Sequence, residues 1–362
     1  MHEDRGVDDI RDIHVIAPNF KRRLSGVTST IVQLVPVQRR LGQRVATLGP
    51  GLPPHLPRIR FADLWRLWFP PRGGSRRVWH ARRNNEMLTG IILRHILRMR
   101  LKLLFTSAAQ RDHKPFTKWM IRRMDRVVAT SDKSAAFLKV PHSVIQHGVD
   151  LDLFHPPASA EDRMEATGLP GTYLVGCFGR IRHQKGTDLF VRAMIELLPR
   201  HPDWTAVICG RVTAEHAAFG DELTKMIATA GLGDRIRILG EVPDVKVWYR
   251  RLDLYVAPSR NEGFGLTPLE AMASQTAVVA STAGAYEEMI DRGVTGDVVA
   301  AGDYEALRDA IARWLADPAR TRAAGEAALA HVRAHFALEK EANALGVVYD
   351  QLLGKGAPDG KA

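Results

Sequence analysis

The chain has 362 residues, 45% of them hydrophobic, and a formal net charge of +11. This length is too great for one hydrophobic core and predicts two domains of an ordinary soluble globular protein. Cys177 and Cys209 both lie in apolar runs, so neither a disulfide framework nor a CxxC metal site is expected, which favours a reducing cytoplasm. The acidic N-terminus does not resemble a signal peptide, and no run approaches the roughly 18 apolar residues of a membrane span.

The charge is distributed unevenly along the chain. Residues 1–150 contain 28 Lys and Arg against 11 Asp and Glu, a net charge of +17, whereas the remainder contains 23 against 29, a net −6. A basic first half indicates an anionic partner, such as an acidic membrane surface or an acidic acceptor molecule. Nucleic acid is not expected as a partner, because no helix-turn-helix, zinc module or RNA-binding motif is present.

Strands and helices alternate along the first half, which is typical of an α/β fold. Strands are predicted at 13–17, 44–48, a run ending at Trp79, 101–106 and 126–130, and helices at 28–41, 87–99 and 116–123. Gly26 lies in a Ser-Gly-Val turn after the first strand, where a backbone without a Cβ can approach a ligand. His80, Arg82 and Arg83 are expected at the carboxyl tip of the third strand, where open α/β sheets bind ligands.

Two basic segments of the first half are candidates for contact with acidic lipid headgroups. One carries Trp65 and Trp68 interleaved with arginines, and the other is the 87–99 helix, with Arg94 and Arg98 one turn apart. The alternative for the helix is a core helix with a solvated basic edge.

The segment VIQHGVDLDLFHPP, residues 144–157, is typical of a crossing between domains. We therefore predict a first domain over 1–150, a second over 151–336, a last helix over 337–353 and a disordered tail over 354–362. Asp150 and Asp152 form a D-x-D pair, but its position in the linker argues against a metal site.

The second half again alternates strands and helices. Strands are predicted at 173–178, 204–209, 235–239, 252–257 and 277–280, and helices at 186–198, about 215–230 and 304–315. Arg180 and Lys185 bracket the glycine turn after the 173–178 strand, and paired cations there can stabilise charge on a leaving phosphate. No G-x-G-x-x-G follows that strand, which argues against a dinucleotide dehydrogenase.

The stretch from Ala257 to Ser281 carries the most specific pattern in the chain. Glu262 and Glu270 are separated by seven residues, across a glycine-containing loop that opens into a helix of roughly ten residues. Backbone N–H groups at that helix start can receive an anionic group. With Glu262 on the loop and Glu270 about two turns into the helix, the arrangement suits a nucleotide sugar, with the diphosphate between a hexose and a ribose.

The E-x7-E spacing, the G-R…K-G turn and the linker resemble the retaining glycosyltransferases of family 4, with metal-independent chemistry and a nucleotide sugar as co-substrate. The resemblance implies the GT-B fold: two Rossmann-like domains facing each other across a cleft, with the C-terminal helix crossing back to the first. It implies that Arg180 and Lys185 hold the diphosphate, and that Glu262 meets the hexose. The implied donor-binding positions are Gly26, Val242, Gly263, Phe264, Gly265, Leu266, Thr267 and Glu270, with Val242 in the turn toward the nucleobase and Glu270 on the ribose.

Within the first half, HARRNNEM (80–87), FTSAAQR (105–111) and TSDKS (130–134) resemble bacterial lipopolysaccharide-core mannosyltransferases. This implies a GDP-mannose donor, an inner-core acceptor sugar such as Kdo, and a peripheral location on the cytoplasmic face of the membrane. The alternatives are another family 4 transferase with a UDP-hexose donor and a glycolipid or polysaccharide acceptor, or a hydrolysing nucleotide-sugar 2-epimerase of the same fold. The epimerase is disfavoured because the first half is poor in acids. A binding module without turnover is disfavoured by the cations beside the two carboxylates.

The chain departs from the family pattern in one respect: Phe105 stands where many members have a histidine. His80, Arg82 or His113 could fill that place, so we include His80 among the candidate catalytic residues. The alternative is that His80 is a strand-end histidine whose ring is satisfied within the protein. A retaining reaction also proceeds without a protein base when the leaving phosphate takes the acceptor proton.

Overall fold

The computed structural model describes residues 8–22 and 26–355. The chain forms two compact units. Unit 1 contains the residues up to Gly148 and those from Leu338 onward, and unit 2 contains Val149–Ala337. Each unit is built on a six-stranded parallel sheet. Two Rossmann-like sheets confirm the predicted α/β fold class.

The sheet of unit 1 has the strand order β2-β1-β3-β4-β5-β6. Its elements in chain order are β1 (Val15–Pro18), α1 (Gly26–Arg40), β2 (Val45–Leu48), β3 (Arg77–Ala81), α2 (Asn84–Ile91), β4 (Leu101–Ser107), α3 (Pro115–Ile121), β5 (Arg126–Ala129), α4 (Asp132–Ala135) and β6 (Ser143–Val144). All residues of β1, β2 and β3 are buried. Helices cover both faces of a parallel sheet, which explains the largely apolar sequences of β1 and β2.

The sheet of unit 2 has the order β12-β11-β10-β7-β8-β9. Its elements are β7 (Tyr173–Phe178), α5 (Thr187–Leu197), β8 (Trp204–Cys209), α6 (Ala217–Thr229), β9 (Ile236–Gly240), α7 (Val245–Arg250), β10 (Leu254–Ala257), α8 (Thr267–Ala273), β11 (Ala277–Ser281), α9 (Tyr286–Met289), β12 (Gly296–Val299), α10 (Tyr304–Leu315) and α11 (Pro318–His335). The strand order reverses between the neighbours β7 and β10. Their carboxyl ends therefore form the crevice in which such sheets bind ligands.

The last helix, α12 (Leu338–Leu353), returns to unit 1 and confirms the predicted C-terminal element. Its buried residues Leu345 and Val348 share an apolar cluster with Ile31 of α1. The carboxylate of Glu341 accepts a hydrogen bond from the Gly148 N–H at 2.9 Å, and His147 Nδ1 lies 2.8 Å from it. These contacts hold α12 against the segment that leaves the first sheet.

Two predicted helices are wrong in their bounds. The 87–99 helix begins earlier, as α2, and gives way to a π-helical turn at Ile92–Ile96, after which Arg98 adopts a left-handed φ of 54°. A residue in this conformation ends a helix, so the apolar residues at helical spacing extend beyond the end of the helix itself. In the same way Gln275, with φ 66°, ends α8 after seven residues. Because α8 begins only at Thr267, Glu270 lies in its first turn, rather than two turns from its start.

The ends of the chain and its apolar helices add two observations. Of the predicted tail, residues 356–362 lie outside the described part, and Gly354 follows α12 with φ 71°. Across residues 8–22 and 26–355, no helix is both long enough and apolar enough to cross a bilayer.

Asp253, at the amino end of β10, makes the stability of unit 2 depend on pH. Burial raises its pKa from the ordinary 3.8 to about 6, although its Oδ2 accepts a hydrogen bond from the Leu174 N–H at 2.9 Å. The folded carboxyl binds its proton more tightly than the unfolded one, so its ionisation destabilises the fold as pH rises from about 4 to above 6. At pH 7.5, Asp253→Asn should stabilise the protein by about 1–3 kcal/mol, because each pKa unit corresponds to about 1.4 kcal/mol.

Thermal unfolding of the parent and of Asp253→Asn between pH 4 and pH 8 measures this effect. The difference in melting temperature should be small at pH 4 and should grow up to about pH 7. A difference that stays constant over this range would contradict the raised pKa.

Candidate functional site

The candidate site lies at the switch point of unit 2, on the loops that follow β7 and β10. After β7, Gly179 takes a φ of 134° and leads to Arg180, then to a single 3-10 turn at His183–Lys185. Gly186 ends this turn with φ 70°, and a Cβ there would lie 2.0 Å from the Pro258 carbonyl oxygen of the other loop. The two loops therefore touch backbone to backbone, which only glycine at 186 permits.

The ammonium group of Lys185 forms an ion pair with the carboxylate of Glu262 across these loops. The two side chains are only 18% and 19% exposed. The second oxygen of Glu262, Oε1, accepts from the N–H of Gly263 at 3.2 Å. The ion pair shows that the loops after β7 and β10 bring a cation and a carboxylate together.

Glu270 lies beside this pair on α8. Its Oε2 accepts a hydrogen bond from the Tyr249 hydroxyl at 2.8 Å. Burial raises the pKa of Glu270, while the bond from Tyr249 and the positive charge of Lys185 act in the opposite direction. Lys185 is thus electrostatically coupled to both carboxylates. The structure places the two predicted glutamates around one cation.

The loop between the two glutamates is closely packed on its inner side. Phe264 is buried, and its carbonyl accepts from the Ala285 N–H at 3.0 Å. Gly265 has a φ of 86°, and a Cβ there would lie 2.4 Å from Cε1 of the fully buried Tyr286. Leu266 and Thr267 are half-buried at the start of α8. Gly265 is therefore needed for the conformation of this loop, whatever else the loop amides bind.

Two other predicted residues of unit 2 lie near the strand ends. Arg180 is exposed, directly after Gly179. Val242 follows β9 and is half-buried against the apolar cluster that contains Phe178, the last residue of β7. Their roles in donor binding stay predictions.

A second ion pair fastens the two loops, and the sequence analysis missed it. The Arg260 guanidinium donates two hydrogen bonds to the Asp188 carboxylate, each 2.7 Å long. The Arg260 N–H also donates to the Gln184 carbonyl at 2.9 Å. Burial acts to raise the pKa of Asp188, but its contact with Arg260 outweighs this and holds the pKa below its ordinary value. Arg260 thus positions the turn that carries Lys185. In the sequence, the arginine two residues before Glu262 was the signal that could have indicated this ion pair.

In unit 1, the structure corrects the position of His80. It lies within β3, paired with Leu104, instead of beyond the strand tip, and it is fully buried. Its Nδ1 is 2.8 Å from the Tyr349 hydroxyl and its Nε2 is 2.7 Å from the Thr106 hydroxyl. Burial lowers its pKa well below 6.5, which keeps the ring neutral. These contacts favour the alternative in which His80 is satisfied within the protein.

The other candidates of unit 1 lie closer to the strand tips. Arg83 follows β3 and donates to Asn19 at 2.8 Å and to the fully buried Glu86 at 2.7 Å, so its guanidinium helps to hold the tip together. Phe105 is buried within β4, and His113 Nε2 lies 3.4 Å from the Ser107 hydroxyl. Gly26 begins α1, and a Cβ there would meet no atom within 4 Å. Ser25, its partner in the predicted turn, lies outside the described residues.

The D-x-D pair of the linker serves the backbone. Asp150 Oδ1 accepts from the N–H of Asp152 at 2.9 Å and from that of Leu153 at 3.2 Å. In the part of the chain that the structure describes, no group of three or more His, Cys, Asp or Glu residues is arranged to hold a metal ion.

Comparison with known proteins finds relatives and solved structures that match nearly the whole chain. The family model described as "Glycosyl transferases group 1" matches residues 160–331. A lipopolysaccharide core biosynthesis mannosyltransferase of Rhizobium leguminosarum bv. viciae is 71% identical over 96% of this chain and 98% of its own length. One of the same description from Rhizobium meliloti is 56% identical over 95% of this chain and 99% of its own. Among solved structures, Anabaena HepE in complex with UDP superposes with a TM-score of 0.79 at 20% identity, covering 94% of this chain and all of that one.

Proposed function

This chain belongs to the group 1 glycosyl transferases, and on that premise we propose that it transfers mannose to the core of lipopolysaccharide. The donor is a nucleotide sugar, for which we propose GDP-mannose, and the acceptor is a sugar of the inner core such as Kdo. Two full-length relatives carry the description of core mannosyltransferases, which supports the sugar and the acceptor class. The observation that carries the chemistry is Lys185, which is ion-paired with Glu262 and electrostatically coupled to Glu270.

We arrange the donor along the switch point in one orientation, with the diphosphate between the hexose and the ribose. Lys185 and Arg180 hold the diphosphate, assisted by the backbone N–H groups of Phe264, Gly265, Leu266 and Thr267. Glu262 accepts hydrogen bonds from the hexose, and Glu270 from the ribose. The turn of Val242 lies against the nucleobase. A bound diphosphate competes with Glu262 for the ammonium of Lys185, so donor binding releases the carboxylate to meet the sugar.

The reaction exchanges one bond at the anomeric carbon for another on the same face. The bond from C1 of mannose to the phosphate oxygen breaks, and the acceptor hydroxyl oxygen bonds to C1. The hydroxyl proton passes to the departing phosphate oxygen, so no protein base is required, in agreement with the burial of His80. Lys185 and Arg180 stabilise the negative charge that grows on the diphosphate, and such preorganised charge is the largest contribution in many enzymes.

The acceptor side of the proposal rests on charge. Residues 1–150 carry 28 cationic against 11 acidic side chains. A core acceptor brings carboxylates and phosphates, and the membrane that anchors it brings acidic lipid. We place the enzyme at the cytoplasmic face of that membrane, bound peripherally.

Thermal stabilisation by a panel of nucleotides and nucleotide sugars tests the donor. GDP and GDP-mannose at a hundred times their dissociation constants should raise the melting temperature of unit 2 by about 5–10 °C, since such occupancy adds about 2.7 kcal/mol. UDP, UDP-glucose and ADP at the same concentrations are the matched controls. Stabilisation by the uridine ligands alone would instead support the alternative donor, a UDP-hexose.

A further inference from the structure

Unit 1 exposes large apolar side chains on the segment that precedes β3. In the 3-10 helix Phe61–Trp68, Leu67 is fully buried, whereas Trp65 and Trp68 are 52% and 45% exposed. Phe69 follows at 59% exposed, and its ring packs edge-on against that of Trp65 with centroids 6.1 Å apart. The leucine already anchors this segment in the core. Core packing therefore gives no reason for aromatic side chains on its outer side.

The turn between α2 and β4 extends this group. The indole Nε1 of Trp68 donates to the Leu97 carbonyl at 2.5 Å, which joins the two segments. Ile96 is 70% exposed and Leu97 is 40% exposed. We call Trp65, Trp68, Phe69, Ile96 and Leu97 the aromatic surface. A contiguous exposed group of this kind is characteristic of an interaction site.

The segments that carry the aromatic surface are also basic. The guanidinium of Arg66 lies 5.3 Å from the ring centroid of Trp65, and Arg98 and Arg100 are exposed beside Leu97. Arg98 stands at a left-handed φ of 54°, a conformation that is uncommon for an arginine, yet an exposed cation occupies it. The acids of the neighbouring segments are ion-paired: Asp9 with Arg11 and Arg66, Asp12 with Arg72, Asp63 with Arg60, and Asp125 with Arg94.

We propose that the aromatic surface inserts into the headgroup region of an anionic bilayer, with the adjacent arginines on the lipid phosphates. Tryptophan is favoured at the membrane interface, and aromatic and aliphatic side chains flanked by arginine are typical of surfaces that lie in it. Membrane insertion of this surface deepens the proposed function. It also rests on that function, because the proposed acceptor is anchored in a membrane. It adds an apolar contribution to binding that charge alone does not supply.

The charge around the aromatic surface also favours a bilayer over a second copy of this chain as its binding partner. A two-fold contact would place the aromatic surface of one copy on that of the other, since such interfaces are self-complementary. The exposed Arg98 and Arg100 would then face the same arginines, with the neighbouring acids already paired. Lipid phosphates supply the missing negative charge.

The structure corrects the role expected for Arg94. Its guanidinium is ion-paired with Asp125 and donates to the Arg123 carbonyl at 2.5 Å, and its side chain is only 18% exposed. Arg94 therefore stabilises the turn between α2 and β4. Arg98, which is exposed, is the cation of this pair that meets a membrane.

Co-flotation of the full-length protein with vesicles tests the proposal. The parent should bind vesicles of phosphatidylglycerol and phosphatidylethanolamine at 0.1 M NaCl at least tenfold more strongly than vesicles of phosphatidylcholine. The double substitution Trp65→Ser with Phe69→Ser should lower binding to the anionic vesicles at least tenfold. At 1 M NaCl, where the Debye length is about 3 Å, the parent should keep a residual binding that the double variant lacks.

Two further variants control the measurement. Val294→Ser changes a side chain that is 49% exposed in unit 2 and should leave vesicle binding unchanged. Ile96→Ser acts on the second segment and should reduce binding even if the double variant proves unstable. With a soluble, delipidated acceptor, the double variant should transfer mannose at the parental rate, whereas with acceptor embedded in vesicles it should lose at least tenfold.

The outcomes separate this proposal from the proposed function. Vesicle binding without transfer to any core acceptor would support the surface and refute the function. The proposal that the aromatic surface binds a membrane would be refuted by absence of binding to anionic vesicles at 0.1 M NaCl. Equal binding by the parent and both surface variants would refute it as well. A parental dimer that the double substitution dissociates, with no vesicle binding, would assign the surface to self-association instead.

Discussion

Lys185→Ala should lower kcat/KM by about a hundredfold, a loss of about 3 kcal/mol in transition-state stabilisation. The ammonium group is ion-paired with Glu262 and acts to lower the pKa of Glu270, and its side chain is largely withdrawn from solvent. In such surroundings a fixed charge stabilises a developing phosphate charge more than it would in water. Its removal also leaves the Glu262 carboxylate without its partner, which raises the cost of bringing in a diphosphate. Steady-state kinetics with GDP-mannose and a core acceptor measures the change.

The matched control is Lys225→Ala, which removes an exposed lysine from α6 of the same unit. It should change kcat/KM by less than twofold. Unfolding curves of both variants verify that the fold is retained. If Lys185→Ala keeps activity within threefold of the parent, the diphosphate does not depend on this residue.

Glu262→Gln and Glu270→Gln should separate the two ends of the donor. Glu270→Gln should weaken GDP and GDP-mannose alike, by about tenfold or more, because the ribose belongs to both ligands and a hydrogen bond to a charged group contributes about 1.5–3 kcal/mol. Glu262→Gln should weaken GDP-mannose by a similar factor and leave GDP within about threefold. Titration calorimetry with both ligands on both variants gives the four values.

Tyr249→Phe supplies a control for Glu270, since it removes the hydroxyl that donates to this carboxylate at 2.8 Å. It should reproduce part of the Glu270→Gln loss for both ligands. Equal losses of GDP and GDP-mannose in both glutamate variants would show that the two carboxylates do not divide the donor as proposed.

Local sequence signals were sufficient for much of the fold. The strands Tyr173–Phe178 and Trp204–Cys209 and the helix Tyr304–Leu315 have the predicted bounds, because apolar runs or a capping residue delimit them. The helix α11 was missed, although Asp317 caps it by accepting from the Arg320 N–H at 3.0 Å and Pro318 occupies its first turn. An aspartate followed by proline is a helix-start signal that the alanine-rich sequence after it supports.

The site was predictable only where spacing along the chain determines spacing in the fold. The E-x7-E spacing placed Glu262 and Glu270 on one loop and helix, whereas Glu262 and Lys185 meet because they follow β10 and β7, which are neighbours at the switch point. The hydrogen bond from Tyr249 to Glu270 and the enclosure of His80 between Tyr349 and Thr106 join residues from separate elements. Such contacts depend on tertiary packing, which no local pattern specifies. Apolar periodicity also could not reveal the left-handed residues Arg98 and Gln275, which shortened two predicted helices.

The proposed reaction is retaining transfer of mannose from GDP-mannose to the lipopolysaccharide core. The most direct measurement incubates the enzyme with GDP-mannose and a Kdo-terminated core acceptor and determines the new linkage by NMR. Because the mannose of the donor is α-linked and the proposed transfer retains this configuration, we expect an α-mannosyl product. Its formation should be abolished in the Glu262→Gln, Lys185→Ala double variant. A β-linked product, or transfer from a UDP-hexose with none from GDP-mannose, would contradict it.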